Sequence, residues 1–594
     1  MKAKFYFRIM IFALLFLVCG KLNSQYTPPW EWMRTLSSTT GSVYGKGLAI
    51  DRGGDRSKNI YVSGDFDGTV DFDPGPGTFN LSSGPRLSAF ISKTDESGNF
   101  LWTKTLFGAR GVAYAGNIAI DPADGAIYMR GRFKGTIDFD PNDEGIHNIT
   151  SNTPYTNTTS CGDHFISKLD REGNFQWAKV IRGAENVFVS SIAIDPGGKG
   201  DVYTTGNFKG TIDFDPGADT FNLTAIGDYD IFISKLNSSG DFQWAKRIGG
   251  QGSDFSYSIA MDPTGRGEVY TTGYFEGTVD FNPDTSIFKL ISAAGQSIFI
   301  SKFDSEGNFI WAKRMGRAGL IDICNVGSVA LDPAGSGDVY TTGSFMGTGD
   351  FNPGDSSCNL KSAGGSDIFI SKLDNTGNFK WATAMGGTYQ DYGVTVAVQP
   401  GGSGNVYIIG RFTGTVDLDP GLDITDLSSA GNYDIFITTL DSSGHFQWAK
   451  AIRGGKEEYI ADIILEQESL YLTGFFYSSF ISFDSTTIAN TSGPDLFIAK
   501  LDIAFTTSVV ESNKHPINIY PNPATDEMTI EFVGDEFHNV EVTLFNTIGE
   551  AVLSDRNENI FHKTTIDISS LSSGIYFMAA NMDGEIVMKK IVKE

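Results

Sequence analysis

The chain has 594 residues, 40% hydrophobic and 13% aromatic, so it can bury more than one core, and 70 glycines with 20 prolines imply many turns. A formal charge of −26 excludes partners recruited by bulk positive charge, which rules out nucleic acid and anionic lipid surfaces. Four cysteines, one of them inside the first twenty residues, make no disulfide framework.

Lys2, Lys4 and Arg8 precede an apolar run over 9–18, followed by Leu22-Asn23-Ser24. This pattern predicts a secretory signal peptide over 1–24, cut before Gln25 and too short to span a bilayer. Val18 before Cys19 argues against a lipoprotein, because a lipobox has a small residue there. Losing this segment takes the formal charge to about −30. No later apolar run has the length of a transmembrane helix.

From there the chain repeats itself. The Gly of a Tyr-x-x-Gly element recurs at Gly64, Gly131, Gly206, Gly273, Gly343, Gly410 and Gly474, with spacings of 67, 75, 67, 70, 67 and 64. Within residues 191–246, Ile192-Ala193-Ile194, Val202-Tyr203-Thr204-Thr205, 231–236 and Phe242-Gln243-Trp244-Ala245-Lys246 read as strands, bounded by Asp, Pro, Gly and Ser. The turn 237–240 has its Gly where a hairpin needs positive φ, and 211–223 is an excursion between the second and third strands. Each repeat is therefore predicted to be a four-stranded antiparallel sheet.

The third strand occurs seven times, around Phe90, Phe165, Phe232, Phe299, Phe369, Phe436 and Phe497. The tryptophan strand follows it only at Trp102, Trp177, Trp244, Trp311, Trp381 and Trp448. Its missing copy stands at the other end, in Trp30-Glu31-Trp32-Met33-Arg34. An open solenoid has no use for an orphan fourth strand, whereas a ring can be locked by one. The expectation is an all-β chain in which residues 25–505 form a seven-bladed β-propeller closed through Trp32. A polar linker over 506–516 leads to alternating runs over 517–594, which predict a small β-sandwich.

Two resemblances follow from these residues. The series AIDP, VYTTG, DIFISKLD and GNFQWAK is similar to the SBBP-type β-propeller repeat of secreted bacterial proteins. The C-terminal run Tyr520-Pro521-Asn522-Pro523, with Gly549, Gly574, Tyr576, Lys589 and Lys590, resembles the type A C-terminal sorting domain of the type IX secretion system. That likeness implies a Bacteroidetes-type bacterium, passage of the outer membrane with the type IX machinery as partner, and removal of the domain. The cargo is then anchored on surface lipopolysaccharide or released. The bland alternative is an accessory sandwich.

The candidate chemistry lies in a repeated Gly-Thr-x-Asp-Phe-Asp-Pro-Gly loop. Its paired positions are Asp71/Asp73, Asp138/Asp140, Asp213/Asp215, Asp280/Asn282, Asp350/Asn352 and Asp417/Asp419. In extended chain, i and i+2 point the same way, so each pair could offer oxygens to calcium. The competing reading is a turn, with Asp capping the backbone and the intervening Phe anchoring the core. Asp51, Asp121, Asp195, Asp262 and Asp332 end the first strands and read as turn residues, with Gln399 in the sixth repeat. The tryptophans share one register, as packing residues do, or could stack on carbohydrate. Cys324 and Cys358 fall in one repeat and could pair in an oxidising compartment.

No HExxH, GxSxG or phosphate-binding loop occurs, and evenly repeated acids are poor candidates for a single catalytic centre, so the chain reads as a non-enzyme. The insertion 147–162 in repeat two is a candidate contact surface. The function expected is an exported, non-enzymatic binding or adhesion module for glycan, matrix or protein. The alternatives are a structural surface component or an enzyme acting on polysaccharide.

Overall fold

A computed structural model describes residues 27–593 except 39, 52–57, 85, 143–144, 155–161, 184–185, 285, 317–320, 402–403, 491–492, 505–516, 533–536, 547–550, 561–562 and 583–584. The expected signal peptide and the expected linker therefore lie outside the described residues. Among the described residues the regular elements are all strands. None of them forms a helix long and apolar enough to cross a membrane. Two compact units meet between Ile503 and Ala504.

In the first unit each repeat folds as an antiparallel sheet in chain order. In repeat three, Val187–Ile194, Val202–Phe208, Asp230–Leu236 and Phe242–Gly250 pair successively. The hairpin between the last two is set by Asn237, whose Oδ1 accepts the amides of Ser239 and Asp241 at 3.0 and 2.9 Å. Gly240 follows at φ +79°, and a Cβ there would come within 3.0 Å of the Trp177 ring of the preceding repeat. Glycine is required twice over, by the backbone and by the indole lying on it.

The excursion is more ordered than the sequence suggested. Thr211–Asp213 and Asn222–Thr224 form a short ribbon. Equivalent ribbons stitch neighbouring sheets together, with Gly249 paired to Asp280 and Gly386 to Asp417. The Phe between the paired acids is the anchor: Phe214 is buried and meets Phe208 and Phe232 at ring distances of 5.3 and 4.8 Å.

The first strands of successive repeats lie side by side, and Ser42–Asp51 lies against both Phe100–Ile120 and Glu458–Glu466. One hydrogen bond recurs between these strands. Val329 donates its amide to Ser258 Oγ at 3.3 Å, Val396 to Ser328 Oγ at 2.9 Å, and Leu48 to Asp462 Oδ2 at 3.0 Å. The last of these joins repeat seven to repeat one. At the same seam, Trp30–Ser38 runs antiparallel to Asp495–Asp502, and Ser37 pairs with Asp71 of the first ribbon.

The second unit has two sheets over one core. Ile517–Tyr520, Glu527–Phe532 and Lys563–Asp567 form one sheet. Ala551–Ile560, Phe537–Phe545, Gly574–Met582 and Glu585–Lys593 form the other. Met528, Ile530, Val542, Leu544, Ile566, Met578 and Ile591 are buried between them.

Candidate ligand-binding face

All seven first strands carry a break in register near their middle. Such bulges re-aim side chains. Before the break stand Tyr44, Tyr114, Phe188, Phe255, Asn325, Tyr392 and Tyr459, each opposite the residue that follows the repeat glycine. Six of these seven are aromatic, and all six are half-buried. Their partners differ in every sheet but two: Asp65, Arg132, Asn207, Tyr274, Ser344, Arg411 and Phe475.

The row is dense in rings and cations. Tyr459 stacks on Phe475 at 4.9 Å, and Tyr44 meets the same Phe475 edge-on at 5.1 Å. Lys46 lies 5.5 Å from the Tyr44 centroid, and Arg132 lies 4.6 Å from that of Tyr114. Arg411 sits among three tyrosines, 4.9 Å from Tyr392, 4.9 Å from Tyr433 and 5.1 Å from Tyr459. Cation–π contacts of this kind contribute about 0.5–2 kcal/mol each. Tyr257 and Tyr477 extend the row outward, 37% and 40% exposed.

After the break comes a collar of small polar residues: Gly47, Asn117, Ser191, Ser258, Ser328, Thr395 and Asp462. All of these but Gly47 border a cavity of ≈320 Å³, whose lining also includes Ser190, Tyr257 and aliphatic residues such as Ile192 and Val396. Among the described residues of that lining Asp462 is the one acid. Burial pushes its carboxyl up to about 6, against the pull of the Leu48 and Ile463 amides.

At the predicted calcium positions each acid or amide has a structural partner. Asp213 Oδ1 accepts the amides of Asp215 and Phe221 at 3.1 and 2.8 Å, and Asp215 Oδ1 accepts that of Gly217 at 2.7 Å. The same bonds recur from Asp71, Asp73, Asp138, Asp140, Asp280, Asn282, Asp350, Asn352, Asp417 and Asp419. Among the described residues no three His, Cys, Asp or Glu side chains cluster as a metal would need. Asp121, Asp195, Asp262 and Asp332 likewise accept the amide two residues on.

The tryptophans pack. Trp177, Trp244, Trp311 and Trp381 each donate the indole N–H to a carbonyl of the next hairpin at 3.1 Å. The bridge weighed for Cys324 and Cys358 is not formed. Cys358 is a free thiol whose Sγ faces the Ala382 carbonyl at 3.8 Å, whereas Cys324 belongs to the strand Ile321–Leu331. In the insertion of repeat two, Asn148–Thr150 pairs with Thr136–Asp138, while 155–161 lie outside the described residues.

Buried acid pairs were missed by the sequence reading. Asp367, Asp391, Asp254 and Glu458 are fully or almost fully buried. Burial pushes Asp254 up to about 7, Asp391 to about 7, Asp367 to about 6 and Glu458 to about 8, with Asp230, Asp367 and Asp434 as charged neighbours of the first, second and last. Their signal was the Asp before each Ile-Phe-Ile run and the acid before the first-strand aromatic.

In the second unit, Asn522 Oδ1 accepts the Val592 amide at 2.9 Å, and Ala524, just after Pro521 and Pro523, donates to the Val592 carbonyl at 2.8 Å. Tyr576 donates its hydroxyl to Ser572 O at 2.8 Å. Tyr520 is paired with Thr529, Gly574 with Lys593, and Lys589 and Lys590 with Met578 and Phe577. Gly549 lies outside the described residues.

Known proteins resemble both units. The chain is 24% identical over 525 residues to the uncharacterized WD repeat-containing protein L264 of Acanthamoeba polyphaga mimivirus, covering 75% of this chain and 37% of that protein. It is 23% identical over 268 residues to the regulatory protein FlaEY of Caulobacter vibrioides, covering 42% of this chain and 26% of that one. The chain thus spans well under half the length of either relative. Dimeric latent PorU of Porphyromonas gingivalis aligns with a TM-score of 0.11 at 10% identity, over 69% of this chain and 34% of that one. Residues 518–594 match the family described as the secretion system C-terminal sorting domain. That domain marks the protein for type IX secretion, to the cell surface or into the medium.

Proposed function

We propose that the first unit is a closed seven-bladed β-propeller of SBBP-like repeats that works, once exported, as a non-enzymatic binding module. It meets its ligand on the face ringed by the aromatic row. One observation carries this reading. The positions that build the sheets are the same from repeat to repeat, whereas the residues opposite the aromatic row run Asp, Arg, Asn, Tyr, Ser, Arg, Phe. A scaffold needs no such variety, and a recognition surface does. Ring closure is supported by the Leu48–Asp462 bond, by the N-terminal strand on Asp495–Asp502, and by similarity to a protein named for WD repeats.

The test is binding of the mature, full-length protein to arrays of glycans and matrix proteins. Tyr257→Ala and Tyr477→Ala should weaken binding without moving the melting temperature, since both rings are partly in solvent. Undiminished binding by both variants would place the ligand elsewhere.

A further inference from the structure

We propose that this face takes an acidic oligosaccharide, with a sugar carboxylate or sulfate held by a cationic subsite of repeat two built from Arg130, Arg132 and His164. The proposal rests on the binding reading above and names its ligand class.

The subsite departs from the repeat at three points on one sheet. Arg130 stands where other repeats have Thr205, Thr272, Thr342 or Thr473, whose hydroxyls each bond a third-strand carbonyl. Arg132 stands two residues on, hence on the same side of the strand. His164 stands where other repeats have Ile231, Ile298, Ile368 or Ile435. Arg132 is directly opposite Tyr114 on one neighbouring strand and His164 on the other, so ring, guanidinium and imidazole form a single row.

These groups are not satisfied by the protein as its other cations are. Arg171 pairs with Asp51 and Arg247 with Asp230, both at 2.8 Å. Among the described residues Arg130 and Arg132 have no such acid. Arg130 donates to the Val189 carbonyl at 2.9 Å and to Asn117 Oδ1, while its buried Nε has no partner. His164 is 4% exposed and hydrogen-bonds the Val187 backbone. Burial and the two guanidinium charges push the imidazole down to about 3, so it is neutral and can both donate and accept. Asp65, across the strand interface, is itself engaged by Lys46 at 3.9 Å and by the Ala115 amide. Burying an imidazole beside two guanidinium charges, and a guanidinium N–H without a partner, costs stability that an Ile and a Thr would not.

The surroundings suit a sugar. Asn117, which Arg130 holds, lines the channel cavity beside Ser190, Ser191, Tyr257 and Ser258. The serine hydroxyls and the partly exposed Tyr257 ring suit the edges and faces of pyranose rings. Arg411 in its cage of tyrosines adds a second cation to the same row, as a polymer with acid groups on successive units would use. On a chain of net charge −26, these cations are a local exception that draws an anion to one face.

The test is calorimetric titration of the mature full-length protein with hexagalacturonate, a chondroitin sulfate hexasaccharide, neutral cellohexaose and poly-glutamate of matched charge. One acidic saccharide should bind at least tenfold tighter than cellohexaose, with affinity falling as salt rises. Which of the two binds tells carboxylate from sulfate. Arg132→Gln should weaken that binding about tenfold. His164→Ile, which restores the repeat residue, should weaken binding while raising the melting temperature, a combination no purely structural role produces. Equal binding of neutral and acidic sugars would overturn the anion subsite and leave the binding reading intact. Tighter binding of poly-glutamate would replace the saccharide with an acidic protein. Binding of none of the four would sink both readings.

Discussion

Trp32 packs its ring on Tyr471 at 6.3 Å and donates its indole N–H to the Glu96 carbonyl at 3.2 Å. Trp177 does the same within the array, 5.9 Å from Tyr128 and bonded to the Ser238 carbonyl at 3.1 Å. The N-terminal strand thus makes, between the last repeat and the first, the contacts an internal tryptophan strand makes between neighbours. Trp32→Ala should lower stability by about 3–5 kcal/mol, read from the denaturant midpoint, because a buried aromatic is lost at the seam. A loss within about 0.5 kcal/mol, the range of ordinary surface changes, would mean that the strand closes nothing.

Stability should depend on pH through the buried acids. Asp254 accepts the Gly250 and Glu276 amides at 2.9 and 3.1 Å, yet burial still pushes its carboxyl up to about 7. An unfolded Asp titrates near 3.9. Between about pH 4 and pH 7 the native state therefore holds a proton that the unfolded chain has lost, so stability falls as pH rises through that window. Asp391, at about 7, and Glu458, at about 8, act in the same direction. Asp374, held down to about 2 by its hairpin bonds despite a desolvation penalty, acts oppositely and loses its contribution as pH falls below about 4. The melting temperature should peak near pH 4–5 and decline toward pH 8. Asp254→Asn should flatten that decline, and an unchanged slope would remove Asp254 as a cause.

The all-β repeat sheets were legible because repetition multiplied weak strand signals seven times, and the strand holding Trp32 pairs with Asp495–Asp502. The proposed ligand face was not legible. The sequence pattern starts the first strand of repeat three at Ile192, but the strand begins at Val187, upstream of a bulge that breaks the period-two alternation. Phe188 and its counterparts follow loops of unequal length, so no fixed motif announces them. His164 is a single departure within one strand, and only the pairing sets it opposite Arg132. The Asp-x-Asp loops had the reverse problem. Their regularity suggested ligation, while the same regularity serves a turn.

That turn role can be tested at Asp213. Its Oδ1 receives two backbone amides, so Asp213→Asn, which keeps an acceptor, should change stability by less than about 0.5 kcal/mol. Asp213→Ala strands both amides and should cost about 1 kcal/mol or more. Addition of EGTA should leave the melting temperature of the wild-type protein where it was. A drop on chelation, abolished in Asp213→Ala, would instead make these loops calcium ligands.

The sorting unit should be separable from its cargo. A chain truncated after Ile503 keeps every sheet of the first unit and loses residues 518–594, which match the sorting family. It should fold with an unchanged cargo melting transition and accumulate in the periplasm. A subtler change acts through the motif itself. Asn522→Ala removes the acceptor of the Val592 amide, which sits on the last strand beside the Ala524 bond. The loss of one such bond is worth about 0.5–1.5 kcal/mol, enough to loosen the end of the strand Glu585–Lys593 without unfolding a unit whose core is elsewhere. The surface or medium fraction of Asn522→Ala, measured by fractionation and immunoblot, should fall between those of the wild type and the truncated chain. Export of the truncated chain at wild-type levels would show that residues 518–594 are not what directs it.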